Sequence, residues 1–149
     1  MADPALSPAA AASAPMPVRK CILIVEDNPL NMKLFSAMIA AQGYDVLQAA
    51  DGAHGLDLAR RQHPDLVIMD IQLPSMSGLD VTRNLKADES TRDIPIIATT
   101  AFALRGDEEM ILASGCDAYM AKPIAISQFL ELIETFMLNA PGISEFAPD

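Results

Sequence analysis

The feature that most restricts the fold of this chain is a fivefold alternation between short apolar runs and segments with helical spacing. Ile22-Leu23-Ile24-Val25, Leu66-Val67-Ile68-Met69 and Ile96-Ile97-Ala98 are almost unbroken apolar stretches, the pattern of strands covered on both faces. Asp45–Ala49 carries Asp45 and Gln48, and Ala118-Tyr119-Met120-Ala121 is short, so these two read as edge strands. Strands that alternate with helices build βαβ units around a parallel sheet. With right-handed crossovers the natural strand order is 2-1-3-4-5. The predicted architecture is therefore an α/β fold, a doubly wound five-stranded parallel sheet flanked by five helices.

The helices carry their own start and stop signals. Asn28-Pro29 pairs an Asx cap with a proline at the first helical position. Leu34, Phe35, Met38 and Ile39 then form an apolar stripe, and Gly43 ends the helix. The second helix is predicted over Ala53–Gln62, stopping before Pro64. The third runs from Gly78 to about Lys86, and the fourth over about Arg105–Ser114, ended by Gly115. The fifth places Ile126, Phe129, Leu130, Ile133, Phe136 and Met137 at helical spacing.

The chemistry lies where the strands stop. The first strand runs into Glu26-Asp27, the third into Asp70, the fourth into Thr99-Thr100 and the fifth into Lys122-Pro123. The C-terminal ends of parallel strands open on one edge, which is where such sheets hold their sites. The strand order puts its switch point between strands 1 and 3, the two that deliver Glu26, Asp27 and Asp70. Packed carboxylates repel unless a cation lies between them, so this edge calls for a divalent metal. A metal, a lysine and a hydroxyl together suit a phosphoryl group.

The 149 residues make one domain with tails. Met1–Val18 is rich in Ala, Pro and Ser and reads as a disordered leader lacking the basic region of a signal peptide. The folded domain is expected over 19–139, with a C-terminal tail over 140–149 after the Ala140-Pro141-Gly142 stop. A net charge of −10 argues against nucleic acid and against anionic membrane as partners. No apolar run approaches the ~18 residues of a membrane span. Cys21 and Cys116 sit in apolar pattern and read as buried free thiols of a cytoplasmic protein. The methionines read as core filler, and His54 and His63 as surface residues of the second helix.

The set Glu26-Asp27, Asp70, Thr100 and Lys122-Pro123 resembles the receiver domain of two-component response regulators, over about residues 20–139. The fold is then the flavodoxin-like one. Ile24-Val25-Glu26-Asp27-Asn28, Asn31-Met32-Lys33-Leu34-Phe35, Met69-Asp70-Ile71-Gln72-Leu73-Pro74 and Thr100-Ala101-Phe102-Ala103 resemble more closely the single-domain members that control cell division.

The resemblance implies a role for each residue. Asp70 takes the phosphoryl group from a phosphohistidine. Asp27 binds Mg²⁺ directly, Glu26 mainly through water, and the carbonyl of Gln72 adds a further oxygen beside Asp70. Glu26 departs from the commoner aspartate. Lys122 holds a phosphoryl oxygen, aimed by a cis bond to Pro123. Thr100 donates its hydroxyl to the phosphoryl group, Thr99 packs instead, and movement of Thr100 lets Tyr119 turn inward as the switch aromatic. The implied protein is not an enzyme in the ordinary sense. It is a stand-alone phosphoacceptor switch that assists its own phosphoryl transfer and loses the group slowly. The implied partners are a histidine kinase or phosphatase at helix 1 and a downstream protein at the helix 4–strand 5–helix 5 face. Phe102 is expected to screen the phosphoryl group from water.

Two other classes share part of the pattern. Metal-dependent phosphohydrolases of the haloacid-dehalogenase type place the nucleophile after strand 1 in a D-x-D motif, which Asp27-Asn28-Pro29 breaks. A flavin-binding module needs a phosphate-cradling loop after strand 1, where this chain has acidic residues.

Overall fold

The computed structural model describes residues 19–101 and 107–138. The elements, in chain order, are β1 (Cys21–Val25), α1 (Pro29–Ala41), β2 (Asp45–Ala49), α2 (Gly52–Gln62), β3 (Leu66–Asp70), α3 (Gly78–Ala87), β4 (Ile96–Thr100), α4 (Asp107–Ala113), β5 (Ala118–Ala121) and α5 (Ile126–Leu138). The five strands form one sheet in the order β2-β1-β3-β4-β5, and every adjacent pair is parallel. This is the predicted order, with the two polar or short strands at the edges.

The helix starts follow from side-chain caps that satisfy backbone N–H groups left without helical partners. Asn28 Oδ1 accepts from the N–H groups of Leu30 and Asn31 at 2.9 and 3.0 Å. Asp51 Oδ1 accepts from His54 N–H at 2.8 Å, and Ser77 Oγ from Leu79 N–H at 3.0 Å. The turns after α1 and α4 pass through Gly43 (φ +94°) and Gly115 (φ +106°), a region open mainly to glycine. Two aspartates tie the opposite edge of the sheet. Asp65 accepts from Cys21 N–H and Asp117 from Ile96 N–H, each at 2.8 Å. Asp65 stands just before β3, and Pro95 just before β4.

Both faces of the sheet are covered. Leu23, Val25, Val67, Met69 and Ile96 pack with residues of α2, α3 and α4. Ile22, Ile24, Leu66, Ile68 and Ile97 pack under Phe35 and Ile39 of α1 and Phe129, Ile133 and Met137 of α5. The rings of Phe35 and Phe129 meet at 5.1 Å between centroids, a favourable separation for an aromatic pair.

Several expectations need correcting. Leu34 is 48% exposed, because the inward row of α1 runs through Phe35 and Ile39 and Leu34 lies one residue off it. Ile126 is 52% exposed at the first position of α5, where Phe129 is the first residue to reach the core. Met110 is exposed on α4 and is not core filler. Cys116 is buried but Cys21 only partly so; both are free thiols. The expected start of helix 4 at Arg105, the residue Phe102, the leader over 1–18 and the tail over 140–149 lie outside the described residues.

Candidate functional site

The site is built from strand ends. β1 is buried from Ile22 onward and runs into Glu26, which stays in the interior at 2% exposure, while Asp27 faces solvent one residue on. β3 is buried along its whole length and its last residue is Asp70, also 2% exposed. Because β1 and β3 are neighbours, these carboxylates converge. Oxygens of Glu26, Asp27 and Asp70 all lie within 4.8 Å of one another.

Each buried carboxylate is held by a backbone donor and by one shared cation. Glu26 Oε2 accepts from Asn28 N–H at 3.1 Å, and Asp70 Oδ1 from Gln72 N–H at 2.9 Å. The Lys122 ammonium lies 3.3 Å from Glu26 Oε1 and 3.3 Å from Asp70 Oδ2. Lys122 comes from the far edge strand. Its N–H donates to the Thr100 carbonyl at 2.7 Å, and its bond to Pro123 is cis, as the resemblance implied. The Glu26 carboxyl titrates above the usual range. Burial is the main cause and the Asp70 charge adds to it, against the opposing pull of Asn28 N–H and Lys122. The three close carboxylates form an all-oxygen donor set, and a hard divalent cation fits it.

Thr100 is fully buried at the end of β4. Gln72 Nε2 donates to its hydroxyl oxygen at 3.1 Å, and Gln72 Oε1 accepts from Ala101 N–H at 3.1 Å. Thr99 packs: it is 1% exposed, and its hydroxyl oxygen has no hydrogen-bond partner among the described residues. Tyr119 lies on β5, and the interaction of its phenol with the Glu108 carboxylate raises its pKa. His54 and His63 are exposed on and beside α2, as expected.

The structure thus brings Glu26, Asp27, Asp70, Gln72, Thr100 and Lys122 to one edge. Sequence reasoning gave Gln72 its carbonyl role and missed the bond of its side chain to Thr100. It also missed the pairing of Lys122 with Glu26, which spans 96 positions of sequence.

Residues 22–134 match the response regulator receiver domain family. The chain belongs to that family. It is 54% identical over 121 residues to the polar-differentiation response regulator DivK of Brucella ovis, and equally to that of Brucella suis. Those matches cover 81% of this chain and 98% of each relative. Among solved structures, the receiver domain of a sensor histidine kinase from Pseudomonas aeruginosa PAO1 has a TM-score of 0.75 at 39% identity, covering 80% of this chain and 98% of that one. That protein holds a magnesium ion in its active-site cleft. A CheY-like response regulator receiver protein from Methanospirillum hungatei JF-1 has a TM-score of 0.75 at 28% identity, covering 81% and 96%. Receiver membership accounts for the strand-end carboxylates without the D-x-D nucleophile of a phosphohydrolase or the phosphate loop of a flavin module. No helix among the described residues is long and apolar enough to cross a membrane.

Proposed function

We propose that this receiver is a cytoplasmic phosphoacceptor switch in a two-component relay and that Asp70 carries the phosphoryl group. The observation behind this reading is the meeting of Asp70 with Glu26, Asp27 and the Lys122 ammonium, 3.3 Å from Asp70 Oδ2. A carboxylate oxygen of Asp70 attacks the phosphorus of a phosphohistidine. The new O–P bond forms as the P–N bond breaks, and the electron pair returns to the imidazole nitrogen. Lys122 follows the transferred oxygens and offsets their charge. Thr100 offers its hydroxyl to them.

Mg²⁺ would supply positive charge to offset that of the carboxylate and phosphoryl oxygens. Asp27, Asp70 and the Gln72 carbonyl would hold it. Both Glu26 oxygens are already engaged, by Asn28 N–H and by Lys122. This supports a Glu26 role through water rather than by direct ligation.

The phosphodonor is a histidine kinase, and the same kind of protein serves as phosphatase. A cavity of about 400 Å³ beside the site supports docking at α1; Leu34, Met38, Lys122 and Ile124 line it, and Leu30 is 75% exposed nearby. Output passes to a protein partner at the α4–β5–α5 face. A groove of about 760 Å³ there is lined by Tyr119, Met120, Gln128, Glu131 and Leu132. Likeness to the DivK proteins over 98% of their length supports a role in polar differentiation and cell division, carried out by protein contact. The family match over 22–134 supports a receiver unit over 19–139. The test is acetyl phosphate with and without Mg²⁺, followed by intact mass. Wild type gains one acid-labile phosphoryl group only with Mg²⁺, and Asp70→Asn gains none. Labelling of Asp70→Asn at the wild-type rate refutes the assignment.

A further inference from the structure

We propose that the Gln72 carboxamide is a latch on the switch threonine: it holds Thr100 and Ala101 in the resting arrangement and opposes the shift that phosphorylation requires. This rests on the phosphoacceptor reading above and deepens it.

The latch is defined by three bonds from one residue. Gln72 N–H donates to Asp70 Oδ1 at 2.9 Å, Gln72 Nε2 donates to Thr100 Oγ1 at 3.1 Å, and Gln72 Oε1 accepts from Ala101 N–H at 3.1 Å. The orientation of the carboxamide is not arbitrary. A backbone N–H can only donate, so Oε1 must face Ala101, and Nε2 is left facing the Thr100 oxygen. Gln72 therefore ties the end of β3 to the end of β4 by backbone on one side and by side chain on the other.

Thr100 is fully buried, so protein groups rather than solvent set the position of its hydroxyl. A phosphoryl group on Asp70 draws that hydroxyl toward itself. Thr100 cannot travel without lengthening the bond from Nε2 or dragging Ala101 off Oε1. The Nε2–Thr100 bond is part-buried and the Oε1–Ala101 bond is exposed, so each carries the ordinary net value of a hydrogen bond. Breaking one of them opposes the phosphorylated arrangement by the net value of a hydrogen bond, about a fivefold factor in an equilibrium. Gln72 is then a positioning residue that sets how much phosphoryl binding must supply before the switch moves.

Beryllofluoride with Mg²⁺, as a stand-in for the phosphoryl group, tests this at equilibrium and avoids any effect on decay. Titrations follow backbone amide resonances in wild type, Gln72→Ala and Gln72→Met. The methionine keeps the reach of the side chain without its polar ends, and thermal melts confirm that both variants fold. Both variants should bind beryllofluoride about fivefold more tightly than wild type. The titrations are run at saturating Mg²⁺, so that a change in metal affinity does not enter. The Ala101 amide resonance of the resting protein should move upfield in both, having lost its acceptor. In a Thr100→Val background, Gln72→Ala should leave the affinity where it was. Equal or weaker binding by both variants overturns the latch alone. Failure of the wild type to bind beryllofluoride overturns the phosphoacceptor reading and the latch with it.

Discussion

Gly78 packs against the backbone of Asp70 so tightly that a β-carbon at position 78 would overlap the Asp70 carbonyl oxygen and lie 2.7 Å from the Ile71 Cα. The first residue of α3 is thereby pressed onto the end of the strand that carries the acceptor, and Gly78 N–H donates to the Ile71 carbonyl at 3.2 Å. Gly78→Ala forces these backbones apart. The expected loss of stability is about 1–3 kcal/mol, the usual cost of overpacking, read from urea unfolding. Phosphorylation by acetyl phosphate should slow as well, since the displaced atoms belong to Asp70 itself.

The three convergent carboxylates predict a metal-dependent melting temperature. Like charges held this close oppose folding, and an ion that binds only the folded state stabilises it by mass action. At a hundredfold excess over its dissociation constant, Mg²⁺ should add about 2.7 kcal/mol. Asp27→Ala should lose most of that gain. Differential scanning calorimetry with Mg²⁺ or EDTA decides it, and a melt insensitive to millimolar Mg²⁺ counts against the site.

Tyr119 predicts a spectroscopic signature of the resting switch. The hydrogen bond to Glu108, then burial and the Glu108 charge, hold its phenol above the ordinary value. An acid whose folded pKa is raised keeps its proton more tightly when folded. Its contribution to stability is thus present below the unfolded value of about 10 and fades as pH rises through the folded one. The chain has two tyrosines and no tryptophan, so ultraviolet titration resolves them cleanly. Glu108→Gln should bring the Tyr119 transition down while leaving that of Tyr44, raised chiefly by burial, in place.

Reset of the phosphorylated protein should be slow. Hydrolysis needs a water aimed in line with the Asp70–phosphorus bond. In the resting protein the two ends of the Gln72 carboxamide face Thr100 and Ala101 and do not aim one. Phe102, two residues past Thr100, has no polar atom to do so either. Decay of the labelled protein should take far longer than seconds and should quicken in Phe102→Ala. A half-life of seconds for the wild type would sink the slow-reset expectation, and equal decay in Phe102→Ala would remove the shielding role.

Much of this fold was legible because the decisive signals are local. β1, β3 and β4 announce themselves as apolar runs, and the polar residue ending each run falls on the site edge by strand geometry alone. Asn28-Pro29 marks the start of α1 for an equally local reason. What stayed hidden depends on register and reach. The Gln72–Thr100 bond joins residues 28 apart, and Lys122 meets Glu26 only because β5 and β1 are brought to one edge by the strands between them. Leu34 and Ile126 read as core because composition alone does not say which way a helix is rotated about its axis.

The position of Lys122 between Glu26 and Asp70 has an operational consequence. Three carboxylates and one ammonium leave the edge with a residual double negative charge, so an incoming phosphoryl dianion meets a closed gate. Two unit charges 4 Å apart near a protein surface interact by about 4 kcal/mol, ample to reject the donor. A dication would cancel the excess and leave the Lys122 ammonium to hold the arriving oxygens. The acidic edge would thus act as an interlock that admits a phosphoryl group only together with a metal.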